Sequence, residues 1–215
     1  MATRTKPAAA HGQDADCDKR TRILHAAMET FGQHGFTAST TLEIATRAHV
    51  SKRELYALVG NKEAMLKACI AQRVERFRLP TDMQTPRDRE TLARMLASFG
   101  AQLVREVSDP AVIAVFRLAI GEAVNAPEVA RTLDATGRET ARAALRGIMA
   151  GARAGGLLGG EPERLAEQFR GLLWTDLMVS LLLGVAKRPS PREIARRARD
   201  AATAFLALHP MPDEA

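Results

Sequence analysis

The sequence is poor in aromatic residues and in cysteine, and both shortages limit the folds it can adopt. Phe, Trp and Tyr make up 4% of the 215 residues, while Ala, Leu and Arg are abundant. β-Strands favour aromatic and β-branched side chains, whereas the abundant residues favour helices. The composition therefore predicts an all-α protein. Cys17 and Cys69 lack metal-ligand spacing, which argues against a metal centre and a disulfide framework and favours a reducing compartment.

The sequence also lacks a secretion signal and a membrane span. Its first residues, MATRTKPAAAHGQDAD, include no apolar segment of the kind that signal peptides contain. The longest apolar run, at 177–183, is too short to cross a bilayer. We expect a cytoplasmic protein that does not contact membranes. The apolar fraction of 46% suffices for a core, and the net charge of +6 suits a polyanionic partner without requiring one.

No pattern typical of an enzyme is present. We find no nucleophile with a base and no paired carboxylates, and the glycine-rich stretch 155–160 lacks the Lys-Ser/Thr that ends a phosphate-binding loop. The histidines are scattered without ligand spacing: His11, His25, His34, His49 and His209. We therefore predict no catalytic residues, no metal site and no cofactor.

Helical periodicity divides the chain into three parts. Residues 1–17 are small, polar and aperiodic, and are predicted to form a disordered arm. Residues 18–66 are predicted to form a small helical domain, with a first helix that ends near Gly32 and Gly35. Residues 67–215 are predicted to form a second helical domain. The helix 62–78 and a proline-containing hinge at 79–86 join the two, and further helices are expected at 87–107, 110–124, 127–154, 161–186 and 190–208.

The segment 41–60 meets most requirements of a DNA-binding helix-turn-helix. Its two short helices, 42–48 and 51–59, need a small residue where they cross, and Ala45 provides it. The first helix must end at a residue that can adopt positive φ, and His49 stands there instead of the usual glycine. The second helix is expected to present Ser51, Lys52, Arg53 and Tyr56 outward. Two surface helices of an ordinary bundle would share parts of this pattern.

The flanking residues make the pattern more specific. From Arg20 to Leu66 the chain resembles the N-terminal domain of the TetR family of bacterial regulators. The resemblance is carried by Ile23-Leu24, Ala27, Phe31, Gly35-Phe36-Thr37-Ala38-Ser39-Thr40-Thr41, Ile44-Ala45, Val50-Ser51, Leu55-Tyr56 and Asn61-Lys62-Glu63. It implies an N-terminal three-helix DNA-binding domain with a helix-turn-helix, followed by a C-terminal helical domain for ligand binding and dimerisation.

The resemblance also implies which residues contact the DNA backbone. Thr40 or Thr41, at the start of the second helix, would hold a phosphate through hydroxyl and backbone N–H groups. Tyr56 would meet the sugar-phosphate backbone. Lys62, at the start of the fourth helix, would bind a phosphate from the other side.

Base reading is expected from the second helix of the motif. Lys52 and Arg53 would point into the major groove, where an arginine can pair with guanine, and Ala57 would assist them. Glu54 lies beside them and would repel phosphate. It could accept a hydrogen bond from cytosine, or pair with Arg53 or with a neighbouring helix; we favour the pairing.

Two apolar helices of the second domain are expected to form a dimer interface. Packed against the same helices of a second subunit, they would make a four-helix bundle. The predicted interface residues are Leu165, Phe169, Leu172, Leu177, Leu181, Ile194, Ala198, Ala202 and Phe205. Alternatively, these residues bury one another inside one chain. We favour the dimer, because a single helix-turn-helix rarely contacts enough DNA for specificity.

A small-molecule effector is expected to bind in the second domain. The candidate lining residues are Phe99, Phe116, Arg117, Met149 and Trp174, each of which could instead belong to the core. Arg117 stands among apolar residues and needs an anionic partner. Glu122, Asp176 or a ligand carboxylate could fill that role.

These inferences predict a ligand-responsive transcriptional regulator. It would bind a palindromic operator in double-stranded DNA as a homodimer, act as a repressor, which is the family's commoner role, and be released by a small-molecule effector. A nonspecific architectural DNA-binding protein is one alternative, although the apolar C-terminal half is larger than that role needs. A helical small-molecule-binding protein or an enzyme is another.

Overall fold

The structure, a computed structural model, describes residues 9–74 and 86–211. No strand occurs in these two segments, which confirms the all-α prediction. The helices are α1 (Ala9–His34), α2 (Thr41–Arg47), α3 (Lys52–Leu58), α4 (Lys62–Val74), α5 (Arg89–Val107), α6 (Pro110–Gly121), α7 (Pro127–Thr132), α8 (Glu139–Ala154), α9 (Pro162–Trp174), α10 (Leu177–Leu183) and α11 (Pro191–Leu208). Among these described helices, none is both long and apolar enough to cross a membrane.

The chain divides into two compact units. The first ends at Gln72 and also includes Leu118–Leu133, while the second runs from Arg73 to Arg117 and from Asp134 onward. The first unit is thus larger than the predicted 18–66. One reason is that Cys69 of α4 is buried and donates to the carbonyl oxygen of Leu24 in α1, at 3.4 Å. The predicted hinge at 79–86 lies outside the described residues except for Pro86.

Helix α1 starts earlier than the sequence indicated. Residues 9–17, predicted to belong to a disordered arm, are helical, and residues 1–8 lie outside the described part of the chain. No proline follows Pro7 in this stretch, and extending an existing helix costs far less than nucleating a new one. The packed part of α1 supplies that nucleus, because Ile23, Ala27 and Phe31 are completely buried.

The core of the second unit lies between α5, α8, α9 and α11. A Cβ atom added at Gly100 of α5 would lie 3.1 Å from the Cδ1 atom of Leu173 and 3.4 Å from the Cβ atom of Ala198. The glycine therefore allows α5 to approach α9 and α11 closely. The rings of Phe169 and Phe205 meet edge to face there, with centroids 5.7 Å apart.

Most residues predicted at the dimer interface belong to this interior instead. The following are buried within the single chain: Leu165, Phe169, Leu181, Ile194, Ala198, Ala202 and Phe205. Leu172 and Leu177 are partly buried against the same core. The amphipathic pattern identified the apolar faces of α9 and α11 correctly, but in this chain those faces pack on α5 and α8 as well as on each other. The buried residues are therefore covered without a second subunit.

Two predicted helices are interrupted. The predicted helix 127–154 contains a π-helical turn, Leu133–Arg138, between α7 and α8. The predicted helix 161–186 breaks at Thr175, which has φ of 42°. A guanidinium nitrogen of Arg197 in α11 donates to the Leu173 carbonyl and the Thr175 hydroxyl, at 3.1 and 3.0 Å. The carbonyl at the end of α9 is thereby satisfied by a side chain from another helix, which compensates for the break.

Truncation of the central aromatic pair tests this core. We expect Phe205→Ala to lower the free energy of unfolding by about 3–5 kcal/mol, because it removes a fully buried ring and leaves a cavity. Thr203→Ala, an exposed change on the same helix, should stay within about 0.5 kcal/mol of the parent. Urea denaturation at one fixed protein concentration measures both, and equal effects would contradict this packing.

Candidate DNA-binding interface

The turn between α2 and α3 has the geometry that a helix-turn-helix requires. His49 adopts φ of 54°, as the sequence predicted for the position where α2 must end. Its N–H donates to the carbonyl of Thr46 at 3.2 Å, and the N–H of Val50 donates to the carbonyl of Ala45 at 3.0 Å. These bonds satisfy the last carbonyls of α2 and redirect the chain toward α3.

Apolar side chains fix the crossing of α2 and α3. Ile44, Ala45, Ala48 and Leu55 are all buried, and Ile44 and Leu55 have no exposed surface. The small Ala45 and Ala48 leave room for α3, as expected from the sequence. The short helices are therefore held by their common interior, against which α1 also packs.

Each short helix begins with a side-chain cap. The Thr40 hydroxyl accepts from the N–H of Glu43 at 3.2 Å and caps α2. Ser51 and Glu54 form a reciprocal capping box at α3, with the Glu54 N–H donating to the Ser51 hydroxyl at 3.1 Å and the Ser51 N–H donating to the Glu54 carboxylate at 2.9 Å. Thr40 and Ser51 thus have a defined structural role besides the predicted contact with DNA.

The outer face of α3 carries the predicted base-reading residues. Lys52, Arg53 and Ala57 are exposed, and the Tyr56 side chain is 46% exposed. The Tyr56 hydroxyl lies 3.4 Å from the hydroxyl of Thr41, so the structure brings these two predicted backbone contacts together. Within the described residues, Arg53 makes no hydrogen bond or ion pair, and Lys52 only approaches the Tyr56 ring, at 6.0 Å from its centroid. Both cations remain available to a ligand.

Glu54 pairs with a neighbouring helix, one of the alternatives that the sequence left open. Its carboxylate accepts from the Lys19 ammonium at 2.6 Å. Hydrogen bonds from Lys19 and Ser51 lower the pKa of Glu54 to about 2. Arg20, next to Lys19, donates to the carbonyl of Leu58 at the end of α3, at 2.6 Å. Helix α1 therefore holds α3 at both ends, a role for Lys19 and Arg20 that sequence patterns did not reveal.

Lys62 makes contacts within the chain, and its predicted contact with a phosphate stays a prediction. Its ammonium donates to the carbonyl oxygens of Phe36, Thr37 and Ser39, at 2.9, 3.2 and 3.0 Å. It also lies over the Phe36 ring, 4.8 Å from the centroid. These contacts direct the charge into the loop between α1 and α2.

Two family models match most of the chain. Residues 23–69 match the model described as bacterial regulatory proteins, tetR family. Residues 94–209 match the model described as AefR-like transcriptional repressor, C-terminal domain. The chain belongs to the TetR family.

Solved TetR-family structures share this fold over nearly the whole chain. A TetR transcriptional regulator from Agrobacterium tumefaciens is 29% identical, with a TM-score of 0.72 over 90% of this chain and 95% of that one. The flavonoid-responsive regulator FrrA is 26% identical, with a TM-score of 0.70 over 90% of this chain and 97% of that one.

A shorter match links the N-terminal part to a curated relative. The uncharacterized HTH-type transcriptional regulator YvkB of Bacillus subtilis (strain 168) is 39% identical over 51 residues. That match spans 24% of this chain and 27% of YvkB, about a quarter of the relative's length. Together with the exposed α3 face, the family assignment makes this chain a DNA-binding transcriptional regulator.

The five residues predicted to line an effector pocket lie in different environments of this TetR-family chain. Phe99 and Met149 are completely buried in the core, whereas Phe116 and Trp174 are partly buried. Arg117 donates to the carbonyls of Leu181 and Leu182, at 2.9 Å each.

The partner of Arg117 is thus the C-terminal end of α10, where unpaired carbonyls carry partial negative charge. The two carboxylates proposed as its partners are engaged elsewhere. Asp176 accepts from the Ser180 hydroxyl at 2.6 Å, and Glu122 accepts from Thr37. Arg117 therefore has acceptors within the chain itself, and a ligand at this position stays a prediction.

The pKa of Glu54 predicts a pH-dependent contribution to stability. Because pairing lowers this pKa from 4.5 to about 2, the folded chain binds fewer protons than the unfolded chain between these values. The stabilisation is present above pH 4.5 and is lost as the pH falls toward 2. At about pH 6 the parent should unfold at a higher urea concentration than Glu54→Gln. This difference in urea midpoint should become smaller as the pH falls to about 3. The control is Glu63→Gln, since Glu63 makes no hydrogen bond or ion pair with the described residues; an equal narrowing there would contradict the assignment.

Proposed function

We propose that the chain is a ligand-responsive repressor that binds a palindromic operator as a homodimer. The observation that carries the proposal is the exposed face of α3, where Lys52 and Arg53 are available beside Tyr56. The nearby acid, Glu54, is neutralised by Lys19. The face therefore presents positive charge to DNA, and an arginine there has the geometry to pair with guanine.

Dimerisation is supported by exposed apolar side chains on the C-terminal helices and just after α10. Val179, Leu183, Val185 and Leu208 are between 52% and 77% exposed. A cleft of about 620 Å³ opens nearby, and Leu172 and Leu177, the two interface candidates outside the buried core, help to line it. We therefore place the interface on the outer surface of α9, α10 and α11. Two subunits would then present two α3 helices to successive half-sites.

Repression and effector response are supported by the relatives. The C-terminal match is to a repressor domain, and FrrA is described as flavonoid-responsive. We propose that a small organic effector binds the second unit and weakens DNA binding. An effector does this only if it has different affinities for the DNA-binding and the released conformations. In the assay below, a ligand that binds tightly but leaves operator affinity unchanged would not be the effector.

Fluorescence anisotropy against DNA from the gene's own upstream region tests the regulatory function. We expect a preference of at least about a thousandfold over a scrambled duplex at physiological salt. Arg53→Ala should weaken specific binding by about tenfold or more and relax base preference, whereas Tyr56→Ala should weaken binding to both duplexes alike. Equal, steeply salt-dependent binding of the parent to both duplexes would favour a nonspecific architectural protein. Unchanged binding by both variants would mean that α3 is not the reading helix.

A charge placed on the proposed dimer surface tests the oligomer. Leu183→Glu should shift the chain from dimer to monomer in sedimentation velocity and weaken operator binding, because a buried unpaired carboxylate is costly. Val124→Glu provides a matched control, since Val124 is 90% exposed in the first unit. A Leu183→Glu variant that remains dimeric would place the interface elsewhere.

A further inference from the structure

Helix α10 is a short element between two breaks in the helical chain. Thr175, with φ of 42°, separates it from α9, and Gly184, with φ of 76°, ends it. Its seven residues are too few for a helix to be stable alone in water. Of these residues only Leu181 is buried, although Leu177 is partly buried against the core. The position of α10 therefore depends on contacts that other helices make with it.

Helix α10 exposes apolar side chains on the surface where we place the dimer interface. Val179 and Leu183 are 52% and 72% exposed, and Val185, just after the helix, is 77% exposed. Single apolar residues are ordinary on a protein surface, but a continuous apolar patch marks a contact site. Whether these three side chains form one patch for a second subunit depends on how the end of α10 is held.

Arg117 of α6 holds the C-terminal end of α10. Its Nε atom donates to the Leu182 carbonyl and its Nη2 atom donates to the Leu181 carbonyl, both at 2.9 Å. The last carbonyls of a helix have no partner within the helix itself and carry partial negative charge, so a guanidinium satisfies and stabilises them. Because the guanidinium is planar and donates twice, it fixes the direction of the helix end as well as its distance.

A second arginine holds the loop that follows α10. Arg188 donates to the carbonyl of Arg105 near the end of α5, at 3.0 Å, and its guanidinium lies 3.5 Å from the carboxylate of Asp109, directly before α6. All of these residues belong to the second unit. Leu183 and Val185 thus lie between two arginine contacts, one made by α6 and one made with the corner between α5 and α6.

We propose that Arg117 is a positioning residue for dimerisation, which orients Leu183 and Val185 toward a second copy of this chain by holding the end of α10. This inference rests on the proposed homodimer. In a two-fold symmetric dimer the same surface of both subunits takes part, so one substitution removes the contact twice. The effect on the dissociation constant of the dimer is therefore the square of the effect in one subunit.

Sedimentation equilibrium of the full-length protein measures the effect on dimerisation. Arg117→Met should raise the dissociation constant of the dimer about tenfold, from about threefold in each subunit. Arg117→Lys retains the charge at the helix end but not the planar pair of donors, so it should lie between Arg117→Met and the parent. Arg87→Met is the control, since Arg87 is exposed and makes no hydrogen bond or ion pair with the described residues. It removes the same charge and should dimerise like the parent.

Hydrogen exchange separates positioning from direct contact with the partner. It is measured in the Leu183→Glu background, where a partner should not protect α10. There, Arg117→Met should raise the exchange rate of the Val185 amide at least about threefold, because the end of α10 opens more often. This amide donates to the Ser180 carbonyl at 3.0 Å. The Leu157 amide, which donates to the Ala152 carbonyl at 2.9 Å, should exchange at an unchanged rate.

The outcomes distinguish this inference from the proposed function. If Leu183→Glu is monomeric but Arg117→Met dimerises like the parent, the positioning role is wrong and the homodimer stands. Weaker dimerisation without faster Val185 exchange would mean that Arg117 contacts the partner directly, which also overturns the inference. A monomeric parent, or a dimeric Leu183→Glu variant, would reject the proposed interface and this inference with it. Circular dichroism of each variant at the temperature of the measurement confirms that it is folded.

Discussion

The packing of α2 against α3 is the constraint on which the DNA-binding surface depends. Each helix has only seven residues, too few to be stable alone in water. Their contact is possible because Ala45 and Ala48 are small and because His49 accepts a left-handed conformation. Once Ile44 and Leu55 are buried, the opposite face of α3 necessarily points to solvent. The reading face is thus a consequence of where the core lies.

Charges around this crossing fall into two groups with different tasks. Behind α3, charged groups are paired: Lys19 with Glu54, Arg20 with the Leu58 carbonyl, and Lys62 with the loop carbonyls. In front of α3, Lys52 and Arg53 have no ionic partner among the described residues. The pairs fix the position of the helix, which lowers the entropic cost that binding would otherwise carry. The modest net charge of the chain is therefore a poor guide to this surface, whose strength depends on which cations remain unpaired.

The helix-turn-helix could be predicted from the sequence because its requirements are local. A small residue, a turn residue and an apolar interior all fall within 20 positions, and the positive φ of His49 followed from them. The second unit was harder to predict, since periodicity shows which face of a helix is apolar but not what covers it. The positions of Ile194 and Phe205 in the helical pattern were therefore compatible with a dimer interface as well as with the core of one chain. The break at Thr175 depends on Arg197, more than 20 residues away, and no local signal precedes it.

The contact between Glu122 and Thr37 was beyond sequence reasoning for the same reason, because 85 positions separate the two residues. The contact nevertheless restricts which residues positions 35 and 122 can carry together during evolution. Gly35 and Glu122 share one small volume, so neither position can vary freely while the other is retained. Among relatives, a side chain at position 35 should accompany a shorter or uncharged residue at position 122. If each position were considered alone, Gly35 and Glu122 would seem to be required for separate reasons. The steric contact between them makes this a single requirement.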